Sequence, residues 1–196
     1  MRLSDISSKM NTDKQLISDS LNGSQAALGK LIEKYQNQMY SVCLSILKKP
    51  DEAQEAAQDT FIKMHKSLAT FNEGSKFSSW LYKIAYRTSL DYLRKRKQTV
   101  DIDAVGFSLE SEGENQEGVM IQSELSQELL KAIKYLNPDE AGIIRMFYLE
   151  EMTIKELAKI TGNSVSNVKV KLFRGRKKLA EIIKTKFKNI ESYLIE

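Results

Sequence analysis

Thr153–Arg176, TIKELAKITGNSVSNVKVKLFRGR, carries the spacing of two short helices joined by a turn, the second of them rich in cations. Thr153 and Glu156 make a T-x-x-E capping box, in which the threonine oxygen accepts an early backbone N–H and the glutamate reaches back. A helix starts here. Ile154, Leu157 and Ala158 share one face at i, i+3 and i+4, and Gly162 follows where the chain has to turn, a place suited to positive φ. Ser164 is the expected cap of the next helix. There Val165, Val168 and Leu172 form the inward stripe, and Ala158 is small enough to let the two helices approach closely. The outward face is then Ser166, Lys169, Val170, Phe173, Arg174 and Lys177, a surface suited to base edges and phosphates.

An antiparallel helix pair whose lysines only solvate its outer face has the same periodicity, and charge separates the two readings. Nine basic residues lie between Ser164 and Lys188 against one acid, Glu181. An ordinary solvated face mixes signs, whereas a stripe of one sign focuses a field on a polyanion. The net charge of +4 over 196 residues is modest, so the information is in its distribution. Lys83 to Lys97 carries six basic residues and one acid, Asp91. Gln98 to Gln122 carries six acids and no base, a local charge of −6 between two basic ends.

A chain of this length holds one large or two small domains. The single cysteine, Cys43, excludes a disulfide framework and fits a buried thiol in a reducing compartment. No apolar run approaches a membrane span, and the N-terminus MRLSDISSKM lacks the apolar segment of a secretion signal, so direct membrane insertion is not expected and the cytoplasm is.

Helical periodicity dominates, and the expected fold is all-α. A short helix is predicted over Asp13–Leu21 and a longer one over about Ser24–Leu47, with Leu31, Tyr35, Met39, Val42 and Ile46 in its stripe. Pro50 closes it, and Asp51 is expected to cap a third helix running to about Leu68. Phe71–Phe77 reads as a loop, and a fourth helix from Ser78 ends in the RKRK run. Residues 98–123 lack an apolar face and read as a flexible acidic linker, whose 26 residues span roughly 90 Å when stretched, so it need not hold its flanks together. Beyond it, Leu125, Leu129, Leu130, Ile133 and Leu136 resume the period, and Asn137–Pro138–Asp139–Glu140 reads as an N-cap, proline at N1 and acids in the first turn. The predicted organisation is an extension at 1–23, a helical domain at 24–97, the linker at 98–123, a second helical domain at 124–188 and a tail at 189–196.

Trp80, Tyr82, Tyr86 and Tyr92 interleave with Lys83, Arg87 and Arg94, after a loop that brings Phe71, Lys76 and Phe77. Aromatics among cations stack exposed bases and hold a single-stranded backbone. The same aromatics also fit a core, most of all Trp80 and Phe71. A double-strand reader beside a single-strand binder suits a protein that docks on duplex DNA and traps an opened base.

These segments resemble the extracytoplasmic-function class of bacterial sigma factors. DEAQEAAQDTFIKMHKSLATFNEGSKFSSWLYKIAYRTSLDYLRKRK looks like that family's domain 2, and LNPDEAGIIRMFYLEEMTIKELAKITGNSVSNVKVKLFRGRKKL like its domain 4. The resemblance implies that Glu55, Gln58 and Asp59 bind core RNA polymerase at the β′ clamp. It implies contact of the other domain with the β flap. Residues Asn72, Glu73, Gly74, Ser75, Lys76 and Phe77, with Lys83 and Arg87, would hold the opened −10 strand. Ser166, Lys169, Val170, Phe173 and Arg174 would read the −35 element, while Lys171, Arg176, Lys177 and Lys178 meet phosphates. The linker would enter the RNA path, and an anti-sigma factor is a further expected partner. Arg87 stands where the family commonly has asparagine, Gln54 where it has an acid, and Val170 where it has a small polar residue; Val170 would favour a thymine methyl.

No enzyme is expected. The only histidine, His65, has no cysteine or acidic constellation around it, and there is no Gly-rich phosphate loop, metal-spaced cluster or cofactor motif. A stand-alone helix–turn–helix regulator would explain 124–188 but leave the aromatic and basic half without a task. A helical scaffold would make no sequence-dependent DNA contact.

Overall fold

The computed structural model describes residues 13–72, 74–100 and 124–186, and within them the chain is helical with no strand. Helix α1 spans residues 13–21. It is followed by α2 (Gln25–Leu47), α3 (Pro50–Ser67), a 3-10 turn at Leu68–Thr70, α4 (Phe77–Val100), α5 (Glu124–Ile133), α6 (Pro138–Tyr148), α7 (Ile154–Thr161) and α8 (Val165–Lys186). Helix α4 runs past the RKRK run to Val100, into the linker predicted at 98–123; the rest of that linker, Glu73, and the two ends of the chain lie outside the described residues.

Local chemistry sets the boundaries. Ser24 caps α2 by accepting the Ala27 N–H, and Lys48 ends the helix in the left-handed region at φ 65°. Asp51 does not cap α3 as expected. Lys49 is the N-cap, without a side-chain bond, and Pro50 stands at N1, where its missing N–H costs nothing; Asp51 and Glu52 follow in the first turn, facing the positive helix end. At α6 the sequence reading holds, since the Asn137 side chain accepts the Glu140 N–H with Pro138 in the first turn.

In the N-terminal half, Leu31, Met39, Val42 and Ile46 of α2 meet Ala53, Ala56 and Met64 of α3 and Leu81 and Ala85 of α4, all without exposed surface. Helix α1 joins them through buried Ile17, and through Asp13, which accepts from Tyr35 Oη at 2.6 Å. The C-terminal half packs Ile143, Ile144 and Met146 of α6 against Leu157 and Ile160 of α7 and Val168 and Leu172 of α8. At Gly175 the helices touch: a Cβ there would lie 2.9 Å from Ile144 Cγ1. The inner stripe of α8 is therefore Val168, Leu172, Gly175 and Leu179, while Val165, expected inside, is 41% exposed.

The two halves are not independent bodies. Helix α2 packs on α6 and α4 on α7, and the buried side chains form one continuous core. Gly142 marks the closest approach, for a Cβ added there would lie 3.0 Å from Ile46 Cδ1. Lys48 Nζ also crosses, donating to the Ile133 carbonyl at 2.8 Å. The two helical domains expected from the sequence are thus also packed on one another. Periodicity reports which face of a helix is buried, and is silent on the partner that buries it.

Candidate nucleic-acid interface

Helix α7 begins with the reciprocal box: the Thr153 oxygen accepts the Glu156 N–H at 3.2 Å, and Glu156 Oε2 accepts the Thr153 N–H at 2.9 Å. Gly162 turns the chain at φ 73°, and Ser164 Oγ accepts the Asn167 N–H at 3.1 Å to start α8. The outward face emerges as read from the wheel. Ser166, Lys169, Arg174 and Lys177 are exposed, and between them Phe173 is 70% and Val170 42% exposed, large apolar side chains turned to water among cations.

The four cations assigned to phosphates divide into two kinds. Lys177 is exposed, and the Arg176 guanidinium lies over the rings of Phe147 and Tyr148 at 5.4 and 5.6 Å. Lys171 is held by Asp139 at 2.6 Å and Lys178 by Glu140 at 2.8 Å, both acids of the first turn of α6. These two lysines tie α8 to α6. The wheel also passed over an amide pair at the start of α8, where Asn167 Nδ2 donates to Asn163 Oδ1 at 2.9 Å.

In the other half, Asn72 Oδ1 accepts the Gly74 N–H at 2.9 Å, an Asx turn that shapes the loop before α4. Asn72, Gly74, Ser75 and Lys76 are exposed. Phe77, expected on this loop surface, is only 4% exposed. Its ring packs 5.5 Å from both Tyr35 and Phe71 and 5.7 Å from Trp80, because it opens α4 on the side facing α2. Phe71 and Trp80 are half-buried in that cluster, in keeping with the core alternative. Arg87 is exposed and Lys83 partly so.

Tyr82 and Tyr86, read as possible stacking residues, are 2% exposed and face the C-terminal half. Tyr82 Oη donates to Glu150 at 2.5 Å, and Tyr86 Oη donates to Asp139. Burial, reinforced by these carboxylates, pushes both phenols well above their ordinary range. Glu150 also takes buried Arg145 at 3.4 Å, and Lys76 pairs with Glu156 at 2.9 Å. Burial works against the Glu156 carboxylate, yet the bonds from Thr153 and Lys76 hold its carboxyl below the usual range. Between the halves lies a cavity of about 430 Å³, with Phe71, Lys76 and Tyr82 on one wall and Glu150, Met152 and Glu156 on the other.

On α3, Glu55 and Gln58 are exposed, while Asp59 is partly covered and accepts from Tyr92 Oη at 3.0 Å. Ile62, one turn on and 51% exposed, was not singled out in the sequence. Its signal was there: an isoleucine off the apolar stripe of its helix. His65 is exposed, and among the described residues no group of three or more His, Cys, Asp or Glu is arranged to hold a metal. Cys43 is buried, and its thiol is pushed up to about 11 by that burial. No described helix is long and apolar enough to cross a membrane.

Residues 31–99 match the family model of sigma-70 region 2, and residues 126–179 that of sigma-70 region 4. The chain is similar to the ECF RNA polymerase sigma factor SigW of Bacillus subtilis strain 168, with 29% identity over 85% of this chain and 94% of that protein. It is likewise similar to the ECF RNA polymerase sigma-E factor of Escherichia coli K12, with 30% identity over 86% of this chain and 93% of the other. Among solved structures, the fold is similar to that of the sigma factor RpoE bound to the anti-sigma factor NepR from Bartonella quintana (TM-score 0.67, 24% identity, 81% of this chain and 97% of that one). It is also similar to CnrH bound to the cytosolic domain of CnrY (TM-score 0.63, 19% identity, 89% and 99% covered).

Proposed function

The chain belongs to the extracytoplasmic-function class of the sigma-70 family, and on that premise we propose how its two halves divide promoter-specific transcription initiation. The C-terminal half, 124–188, reads the −35 duplex through Ser166, Lys169, Val170, Phe173 and Arg174, with Arg176 and Lys177 on phosphates. The observation that supports this most is the exposed Phe173 and Val170, set among cations on a helix fixed by a capping box and a left-handed glycine. Phosphate contacts set register, and apolar and hydrogen-bonding contacts choose the base.

The N-terminal half, 24–97, binds core RNA polymerase and holds the opened strand. Glu55, Gln58 and Asp59 engage the β′ clamp, and exposed Ile62 supplies an apolar anchor beside them. Asn72 to Lys76, with Lys83 and Arg87, receive the −10 strand. Unstacking a base costs a few kcal/mol, and stacking returns about 1–3 kcal/mol per base, so opening needs no nucleotide hydrolysis. Sigma factors are not enzymes, and this one acts on polymerase in the bacterial cytoplasm, at the nucleoid when in holoenzyme. An anti-sigma factor is its expected regulator, as in the two complexes of similar fold.

The −10 and −35 elements lie about 25 base pairs apart, roughly 85 Å at 3.4 Å per step. Packed halves do not span that distance, so engagement of both elements exchanges the Tyr82–Glu150, Tyr86–Asp139 and Lys76–Glu156 contacts for polymerase and DNA. The connector between α4 and α5, residues 101–123, is long enough to follow.

Permanganate footprinting tests the division of labour. With the chain, core polymerase and promoter DNA but no nucleoside triphosphates, thymines around −10 become reactive. Lys76→Ala combined with Arg87→Ala weakens that reactivity while leaving protection of −35. No reactivity with the wild-type chain would overturn the reading.

A further inference from the structure

Asn167, Val170 and Arg174 stand at i, i+3 and i+7, one row along the exposed side of α8. The Asn167 carboxamide is held at the start of that row. Lys171 Nζ, anchored on Asp139 at 2.6 Å, donates to Asn163 Oδ1 at 3.2 Å. An ammonium only donates, so Asn163 must turn its oxygen inward, and Asn167 must then offer that oxygen its Nδ2, at 2.9 Å. The chain of donors fixes the orientation of the Asn167 amide. Its carbonyl oxygen and second N–H take no partner among the described residues.

A donor beside an acceptor on one rigid plane is the complement of adenine's N7 and N6–H2 in the major groove. Guanine presents two acceptors on that edge and would set its O6 against the asparagine oxygen. In helix–turn–helix proteins the N-terminal residues of the second helix are those that reach base edges.

We propose that Asn167 is a specificity-determining residue that reads one adenine of the −35 element, with its amide plane set by Asn163. Lys171 is then a positioning residue for this pair instead of a phosphate contact. The inference rests on the sigma-factor reading and deepens it.

The test is a selection from promoters randomised across −35, using holoenzyme assembled from core polymerase and the full chain. The wild type selects adenine at one position there. Asn167→Ala loses that preference by about thirtyfold, the middle of the range for a bidentate contact, with the other positions and the melting curve unchanged. Asn163→Asp keeps the acceptor and retains the preference, whereas Asn163→Leu lowers it. Replacing the selected adenine with 7-deazaadenine, which lacks N7, weakens initiation by the wild type and leaves Asn167→Ala unaffected. The inference is overturned if the wild type prefers adenine nowhere in −35, if Asn167→Ala keeps the preference, or if all positions weaken equally. A chain that gives no promoter-specific transcript with core would overturn the sigma-factor reading itself.

Discussion

Tyr86 donates its phenolic hydrogen to one oxygen of Asp139, and the other oxygen of Asp139 holds Lys171 at 2.6 Å. One carboxylate therefore links the helix that is to meet the opened strand to the helix that is to read duplex. Glu150 and Glu156 act alongside it on Tyr82 and Lys76. Three acids of the C-terminal half thus hold two hydroxyls and an ammonium of the N-terminal half. Of these groups Lys76 is the one we assign to the opened strand, so DNA and Glu156 compete for it.

Removing the Tyr86 hydroxyl while keeping its ring isolates this contact. Hydrogen bonds to charged groups contribute about 1.5–3 kcal/mol, so Tyr86→Phe weakens the packing of the halves by an amount of that order. Small-angle scattering is expected to give a larger radius of gyration than for the wild type.

A steric route reaches the same state. A Cβ added at Gly142 would lie 3.0 Å from the Ile46 side chain, tighter than an ordinary contact, and overpacking of such contacts costs about 1–3 kcal/mol. Gly142→Leu is expected to part the halves while each keeps its helices. Scattering then reports an expanded chain, and far-ultraviolet circular dichroism an unchanged helix signal.

Lys48 makes the packing depend on pH. Burial, with repulsion from Lys134, lowers its ammonium from 10.5 to about 8. Below pH 8 the packed state carries a charged, buried lysine. Between about 8 and 10 the separated state binds more protons than the packed one, so packing strengthens as pH rises. Above 10 the sign reverses, because Tyr82 and Tyr86 keep their protons only when packed. Fluorescence transfer between labels on α3 and α8 is expected to peak near pH 10, and Lys48→Met to remove the rise.

The cations of α8 differ in what DNA gains from them. Exposed Lys177 releases a counterion when it meets a phosphate, whereas Lys178 must first leave Glu140. Lys177→Ala is expected to reduce the salt slope of duplex binding by about 1, and Lys178→Ala by less. Titrations of affinity against salt concentration separate the two.

Elements whose signals are local were legible. The Thr153–Glu156 box, the Gly162 turn and the Asn137–Pro138 start all have partners within four residues, and each formed as read. Val165 was misjudged because the inner stripe of α8 is set by where α6 lies. Gly175, a glycine inside a helical pattern, was the clue to that close approach. Phe77, Tyr82 and Tyr86 show why aromatic and basic composition is ambiguous, since rings that stack on bases also fill cores. Asn167 escaped because its orientation depends on Asn163, Lys171 and, through it, Asp139 on another helix. The packing of α2 on α6 joins residues about a hundred positions apart, beyond the reach of any local period.

Run-off transcription with core RNA polymerase freed of other sigma factors tests the account most directly. Addition of the purified chain to core and a genomic fragment library is expected to yield discrete transcripts sharing −35 and −10 sequences, lost when Phe173 and Arg174 are both replaced by alanine. A chain that neither binds core nor yields a promoter-specific transcript would contradict it.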